Sequence, residues 1–179
     1  MFNLFKKKEA GTRVTDRIWM NENAKLESFT KEWRKNNDIL YISWFEDTYA
    51  KIESLFIQEN IQANCLAMTR ELSPSIITGK TIVFAEHYPL HEKENAIYQK
   101  LNLQQVIVWS ALDEPLFKHF GGDKIIAMMK QLGMSEDAAI EHVMISKAIQ
   151  NAQEKIAKKV TTEQAARSQT DWLQRNLPP

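Results

Sequence analysis

The chain contains few of the residues and segments that mark several large classes of protein. Its single cysteine, Cys65, excludes an internal disulfide bond and a zinc site built from cysteines. The formal net charge is zero, so no overall electric field attracts nucleic acid or acidic substrates. No apolar run reaches the roughly 18 residues that a membrane-spanning helix needs, and the start MFNLFKKK lacks the order of a signal peptide. We therefore expect a soluble cytoplasmic protein that binds no nucleic acid.

Glycine is scarce as well, and its spacing argues against a phosphate-binding loop. A P-loop requires G-x-x-x-x-G-K-[ST], and none of the five glycines fits that pattern. The segment TGKT at 78–81 contains Gly-Lys-Thr, but a strand rather than a helix is predicted to follow it. The pair Gly121 and Gly122 precedes a predicted helix, where backbone N–H groups can bind an anion. Because Asp123 can cap that helix and would repel phosphate, we predict that the pair is a joint between two helices.

The rest of the composition is that of a globular protein, with 44% hydrophobic and 26% charged residues. Short apolar or alternating segments, which are typical of strands, occur at 12–20, 38–45, 61–68, 81–87 and 104–111. Helical patterns separate them at 22–35, 47–60 and 90–102, with Asn21 and Asp47 as predicted N-caps. Strands that alternate with helices predict an α/β fold, a three-layer sandwich around a mostly parallel sheet of about five strands.

The C-terminal part of the chain is predicted to be wholly helical. The segment 138–176 contains neither glycine nor proline and predicts one long or twice-broken helix. A narrow apolar stripe on it predicts packing against a domain edge or a partner: Ile145, Ile149, Ala152 and Ile156. A second apolar set is predicted to dock the helix after the glycine pair: Met128, Met129 and Leu132. We expect a mobile N-terminal segment at 1–11, an α/β core at 12–134 and a helical extension at 135–179.

Three residues near the end of the strand predicted at 81–87 are the candidates for chemistry. Open α/β sheets bind ligands at the carboxyl ends of their strands, which is where Glu86, His87 and His91 fall. The two histidines have the spacing of a metal pair on one helix, but Pro89 places His87 before that helix. We therefore predict two surface histidines and no metal or other cofactor. A small hydrolase or nucleotide-binding protein with its site at Glu86, His87 and His91 stays open as an alternative.

The N-terminal segment suggests a second alternative, a peripheral membrane-surface protein. Apolar and basic side chains stand side by side there: Phe2, Phe5, Lys6, Lys7 and Lys8. Such a segment can rest on an anionic membrane surface, but three lysines contribute at most about 3 kcal/mol. We expect any such contact to be weak and reversible.

The most informative block is ALDEPLFKHFGGDKIIAMMKQLGMSEDAAIEHVMISKAIQNAQEKIAKKV at 111–160. It resembles, nearly residue by residue and without gaps, the part of the SecA preprotein translocase ATPases that joins their second nucleotide-binding domain to a long scaffold helix. The segments 14–68 and 81–101 follow the same family's order of strands and helices. The resemblance implies a RecA/helicase-C-like fold, and a protein partner in protein export or a second copy of the chain.

The family's phosphate-contacting segments are missing from this chain. Neither G-R-S-G-R-Q-G-D nor A-T-N-M-A-G-R-G-T-D occurs, and the stretch at 72–80 is too short to replace the latter. Loss of the arginines that stabilise a transferring phosphate should abolish ATP hydrolysis. The resemblance therefore implies a degenerate, stand-alone, non-enzymatic protein-interaction module with a pseudo-ATPase fold. It carries over no catalytic residue, no cofactor and no small-molecule substrate, and it places the protein in the cytoplasm or at the periphery of the inner membrane.

Overall fold

The computed structural model describes residues 11–178, apart from the side chain of Ala63. The N-terminal residues for which membrane contact was predicted lie outside this range: Phe2, Phe5, Lys6, Lys7 and Lys8. Among the described residues, no helix is both long and apolar enough to cross a membrane.

Five parallel strands form one sheet. They are β1 (Arg13–Trp19), β2 (Ile39–Ser43), β3 (Leu66–Met68), β4 (Thr81–Phe84) and β5 (Gln105–Ala111). The order across the sheet is β1-β5-β4-β2-β3, with every neighbouring pair parallel. All five residues of β2 are buried, as expected for a strand that helices cover on both sides.

Eight helices surround the sheet in the described part of the chain. They are α1 (Glu22–Lys35), α2 (Glu46–Gln58), α3 (Pro74–Ile77), α4 (His91–Lys100), α5 (Pro115–His119), α6 (Gly122–Gln131), α7 (Val143–Ala157) and α8 (Gln169–Asn176). One core cluster joins the sheet to α1 and α2 through Phe29, Ile52 and Phe56, and another joins it to α4 through Tyr98. The predicted three-layer α/β fold with helices at its C-terminal end is therefore confirmed.

The predicted helix starts are right for α1 and wrong for α2. Asn21 caps α1, since its side-chain oxygen accepts a hydrogen bond from the backbone N–H of Ala24 at 2.9 Å. Helix α2 instead begins at Glu46 with Phe45 as its N-cap, which leaves the predicted cap Asp47 inside the first turn. A carboxylate from a distant residue takes over the capping contacts, as described below.

The glycine pair is confirmed as a joint between α5 and α6. Gly121 has φ 85° and ψ 30°, a left-handed conformation that favours glycine, and it is the N-cap of α6. A Cβ atom on Gly122 would lie 2.1 Å from the carbonyl oxygen of Leu112, so the pair also permits a close approach of two backbones. Asp123 lies in the first turn of α6 and is not its cap, which corrects the prediction.

The C-terminal region differs from the single long helix predicted for it. Helices α7 and α8 are separate, and residue 140 pairs with β1 instead of joining a helix. The backbone N–H groups of Ile18 and Ile140 each donate to the other's carbonyl, at 3.0 and 2.8 Å. Ile149 and Ile156 of the predicted stripe are buried, so α7 does pack on the domain.

The predicted docking role of α6 is right for only one residue. Met129 is buried against β1 and α7, whereas Met128 and Leu132 are 54% and 70% exposed. The helix therefore presents much of its apolar surface to solvent. The predicted boundary at residue 134 stays a prediction.

Candidate functional site

The order in which successive strands are added to the sheet reverses between the neighbouring strands β2 and β4. From β2 the chain continues through α2 to β3 on one side, and from β4 through α4 to β5 on the other. Ligands of open α/β sheets bind in the crevice that such a reversal opens beyond the strand ends. The residues that follow β2 and β4 therefore define the candidate site.

Glu86, which follows β4, fills this crevice with its own carboxylate. Its Oε1 atom accepts hydrogen bonds from the backbone N–H groups of Trp44 and Phe45, both at 3.1 Å. Its Oε2 atom accepts a third from the hydroxyl of Thr48 at 2.6 Å. These donors lie at the start of α2, where the helix dipole favours a negative charge. Burial raises the pKa of Glu86 to about 7 against the opposing effect of Thr48.

A buried ion pair lies next to Glu86. The ammonium group of Lys25 on α1 donates to the carbonyl oxygen of Ala85 at 2.8 Å and to the carboxylate of Glu114. The same Glu114 oxygen accepts the backbone N–H of Ala111 at 3.0 Å, which holds the end of β5. Lys25 and Glu114 are 2% and 5% exposed, so neither charge is free to meet a solute directly. Burial raises the pKa of Glu114, and the charge of Lys25 opposes that rise.

The cavity outside these residues is small and polar, and its lining includes four acidic side chains but only two lysines. Its volume is about 300 Å³, and α8 closes one side of it with Gln169. No arginine is among its lining residues in the described part of the chain. The exposed lysine in its wall, Lys51, is already paired with Glu22 at 2.8 Å. The cavity therefore offers little to a phosphate group.

His87 is buried between two carboxylates, and the prediction of a surface histidine is wrong. Its Nε2 atom lies 2.7 Å from Asp16 of β1 and its Nδ1 atom lies 2.8 Å from Glu94 of α4. Burial alone would lower the pKa of His87, but the two carboxylates raise it to about 10. Burial likewise opposes ionisation of Glu94, yet His87 and further hydrogen bonds lower its pKa to about 2. His87 is therefore a charged, structural imidazolium at neutral pH.

The C-terminal helices bind directly to this buried group. The side-chain amide of Gln153 on α7 donates to the carbonyl of Tyr88 at 2.7 Å and to Glu94 at 3.0 Å. That of Gln169 on α8 donates to the carbonyl of His87 at 3.0 Å. Two glutamines thus tie α7 and α8 to the loop that follows β4.

The three predicted site residues do not converge on one cavity. Glu86 lines the cavity beside Lys25, whereas His87 and His91 line another of about 220 Å³ between β1, α4 and α7. His91 is half-buried, with its Nδ1 atom 3.6 Å from Glu94. Among residues 11–178 no three histidine, cysteine or acidic side chains are grouped as metal ligands would be. Cys65 is buried, and burial raises the pKa of its thiol to about 11.

The sequence interpretation missed most partners of these residues. They come from six separate parts of the fold: Asp16, Lys25, Glu94, Glu114, Gln153 and Gln169. One signal was present, because Asp16 occupies an inward position between the apolar residues Val14 and Ile18 of β1. An acidic residue at such a position requires a buried partner.

Comparison with known proteins connects a part of the chain with SecA. No family model matches the chain. It is 48% identical over 46 residues to protein translocase subunit SecA of Acinetobacter baumannii strain AYE, and equally to that of Psychrobacter arcticus. Identity to the SecA protein of Acinetobacter baylyi is 46% over the same length. These 46 residues are 26% of this chain and 5% of each relative, so the chain matches a small part of the SecA proteins. The chain contains a SecA-related segment.

Proposed function

We propose that this chain is a non-enzymatic protein-interaction module of SecA-like, pseudo-ATPase character that acts in protein export. The observation that carries the proposal is the carboxylate of Glu86 at the start of α2. In a nucleotide-binding sheet this crevice would receive an anionic group of the ligand. Here the carboxyl group of Glu86 occupies those donors, and a phosphate would have to displace its three hydrogen bonds.

The charges around the crevice support the same conclusion. Catalysis of phosphoryl transfer needs cationic groups directed at the phosphate oxygens. The ammonium group of Lys25 already donates hydrogen bonds to Glu114 and to the carbonyl of Ala85, and that of Lys51 donates to Glu22. His87 cannot act as a general base while both of its ring nitrogens are hydrogen-bonded to carboxylates. The alternative of a small hydrolase at Glu86, His87 and His91 is therefore less well supported.

The biological context comes from the relatives, whose name is protein translocase subunit SecA. We infer that the partner belongs to the translocation apparatus and that the module acts in the cytoplasm, at the periphery of the inner membrane. The exposed apolar residues of α6 support an interaction role in general, because a surface helix normally buries such side chains. Liposome co-sedimentation with and without the first ten residues separates protein binding from direct membrane contact.

Two measurements test the proposal together. Isothermal titration with Mg-ATP and with ADP should give no heat of binding at micromolar affinity, and no phosphate should be released. Interferometry with the purified translocase SecA from the same organism should detect a complex. Glu86→Gln serves as a control, because it keeps the shape of the side chain while removing its charge. Micromolar ATP binding with turnover by the wild-type chain would overturn the proposal.

A further inference from the structure

A group of exposed apolar side chains at the end of α5, along α6 and at the start of α7 is unlike the rest of the described surface. Together they define the α6–α7 face: Phe120, Ile125, Met128, Leu132 and Met144. The two most exposed, Leu132 and Met144, present 70% and 71% of their surface to solvent. Large exposed apolar side chains occur singly on most proteins, but a contiguous set marks an interface.

Their spacing places the α6 members of the face on one side of the helix. Ile125, Met128 and Leu132 are separated by three and four residues, which is the repeat of one helical face. Their neighbour Met129 points into the core, so the face borders the buried side of α6. On α7, Met144 lies one turn before Ala148, which lines the groove described next.

A groove of about 380 Å³ runs between α6 and α7 beside these side chains. Its walls are almost wholly apolar and include Phe117, Ile125, Ile145, Ala148 and Ala152. The surface therefore combines protruding apolar side chains with an apolar groove. A two-fold symmetric interface needs this combination, because each copy must offer both the protrusion and the groove that receives it.

The charges around the face favour a partner of the same composition. The segment 118–147 contains four lysines and four acidic residues: Lys118, Lys124, Lys130 and Lys147, with Asp123, Glu136, Asp137 and Glu141. One pair is already joined, Lys130 to Glu136 at 2.8 Å. A strongly acidic or basic partner finds no complementary field here, whereas a second copy presents an equally balanced rim. The chain as a whole has zero formal charge, so two copies do not repel each other.

We propose that the α6–α7 face binds a second copy of the chain in a symmetric dimer. Met128 and Leu132 of each copy enter the groove of the other, and the four helices pack as a bundle. This inference rests on the proposed function in one respect, since it assigns one exposed face of a protein-interaction module to a second copy and leaves the translocase to bind another part of the chain.

Sedimentation equilibrium of the full chain, up to about 100 µM, tests the dimer. The wild-type protein should approach twice the 20.8 kDa of one chain. Met128→Glu with Leu132→Glu should remain monomeric at every concentration. The matched control is Ile57→Glu on α2, because Ile57 is 67% exposed and lies outside the face. That control should dimerise like the wild type.

A cross-linking experiment covers the case in which the double substitution disturbs folding. Met128→Cys protein mixed with Ala148→Cys protein should form a disulfide-linked heterodimer, since a side chain at 128 enters the groove at 148. The native Cys65 is buried and should not contribute. A wild-type monomer at the highest concentration, or a dimer that survives both glutamates, would overturn the inference. A monomer that still binds the translocase would leave the proposed function intact.

Discussion

The Nε2 atom of His87 lies 2.7 Å from a carboxylate oxygen of Asp16, and both side chains are almost fully buried. Asp16 belongs to an edge strand and His87 follows the middle strand of the sheet, so the contact joins two distant parts of the chain. Glu94 continues it to α4, and Gln153 continues it to α7. One charged imidazolium therefore holds several elements together.

Replacement of His87 by glutamine should destabilise the protein in a pH-dependent way. The pKa of His87 is raised from 6.5 to about 10, so its protonated form contributes stability that is complete below about pH 6.5 and is lost as the pH rises through 10. Breaking a buried pair costs about 3–5 kcal/mol, so we expect that loss near pH 6 and a smaller one near pH 10. Urea unfolding of the wild type and the variant at several pH values measures the difference between their free energies of unfolding.

The contribution of Glu94 to stability depends on pH in the opposite direction. The pKa of Glu94 is lowered from 4.5 to about 2, so its contribution is complete above about pH 4.5 and is lost as the pH falls through 2. The joint contribution of the pair should therefore be largest between about pH 4.5 and 6.5. His119→Gln is the control, since His119 is exposed. If the loss in the free energy of unfolding caused by His87→Gln stays constant from about pH 6 to 10, the raised pKa of His87 is contradicted.

Replacement of Lys25 by methionine should cost about 3–5 kcal/mol, because it leaves the buried carboxylate of Glu114 without its partner. Lys51→Met removes a comparable lysine from the exposed pair with Glu22 and should cost less than about 1 kcal/mol. Chemical denaturation of the two variants gives the comparison. Adding Glu114→Gln to Lys25→Met should restore part of the lost free energy of unfolding, because it removes the unpaired carboxylate. If nothing is restored, the unpaired carboxylate is not the cause of the loss.

The glycine pair should respond unequally to alanine. Gly122→Ala places a Cβ atom against the backbone carbonyl of Leu112, which cannot move aside without shifting β5, so we expect a loss of about 3 kcal/mol or more. Gly121→Ala meets no atom within 4 Å and costs only the left-handed conformation, about 1–2 kcal/mol. Thermal unfolding of both variants measures the difference. Equal losses would mean that the close approach does not constrain the joint.

Replacement of Trp172 by alanine should detach α8 before the rest of the domain unfolds. Trp172 is fully buried, and its indole N–H donates to Tyr88 and Glu163, each at 3.1 Å. Removal of a buried aromatic side chain costs about 3–5 kcal/mol. Hydrogen exchange should increase in α8 and little in β2. Leu173→Ala changes a half-buried residue of the same helix and should have a smaller effect, and exchange that rises equally throughout the sheet would exclude local detachment.

The order of strands and helices could be predicted from the sequence because it depends on local repeats. Apolar residues at a spacing of two mark β1, and a continuous apolar run marks β2, whatever the rest of the chain does. The cap at Asn21 was predictable for the same reason, since a cap acts within its own helical turn. The error at Asp47 is instructive, because the backbone N–H group at the start of α2 donates to Glu86, from the loop after β4.

The candidate site could not be predicted in the same way. Glu86 and His87 were identified by their position at a strand end, but nothing local to them shows that one fills the crevice or that the other is buried. Their hydrogen-bond partners lie between 7 and 82 positions away from them along the chain. Such contacts exist only once the sheet has brought the strand ends together.

The sequence by itself therefore determined the α/β class, the parallel sheet and the helical joint at Gly121, since each follows from short-range periodicity or backbone sterics. Only the tertiary structure decided which charges are paired and which apolar side chains remain exposed. Met128 and Met129 are adjacent and chemically identical, yet one is 54% exposed and the other 5%. The orientation of α6 against β1 and α7 makes that difference, because burial depends on what packs against a side chain and not on its type.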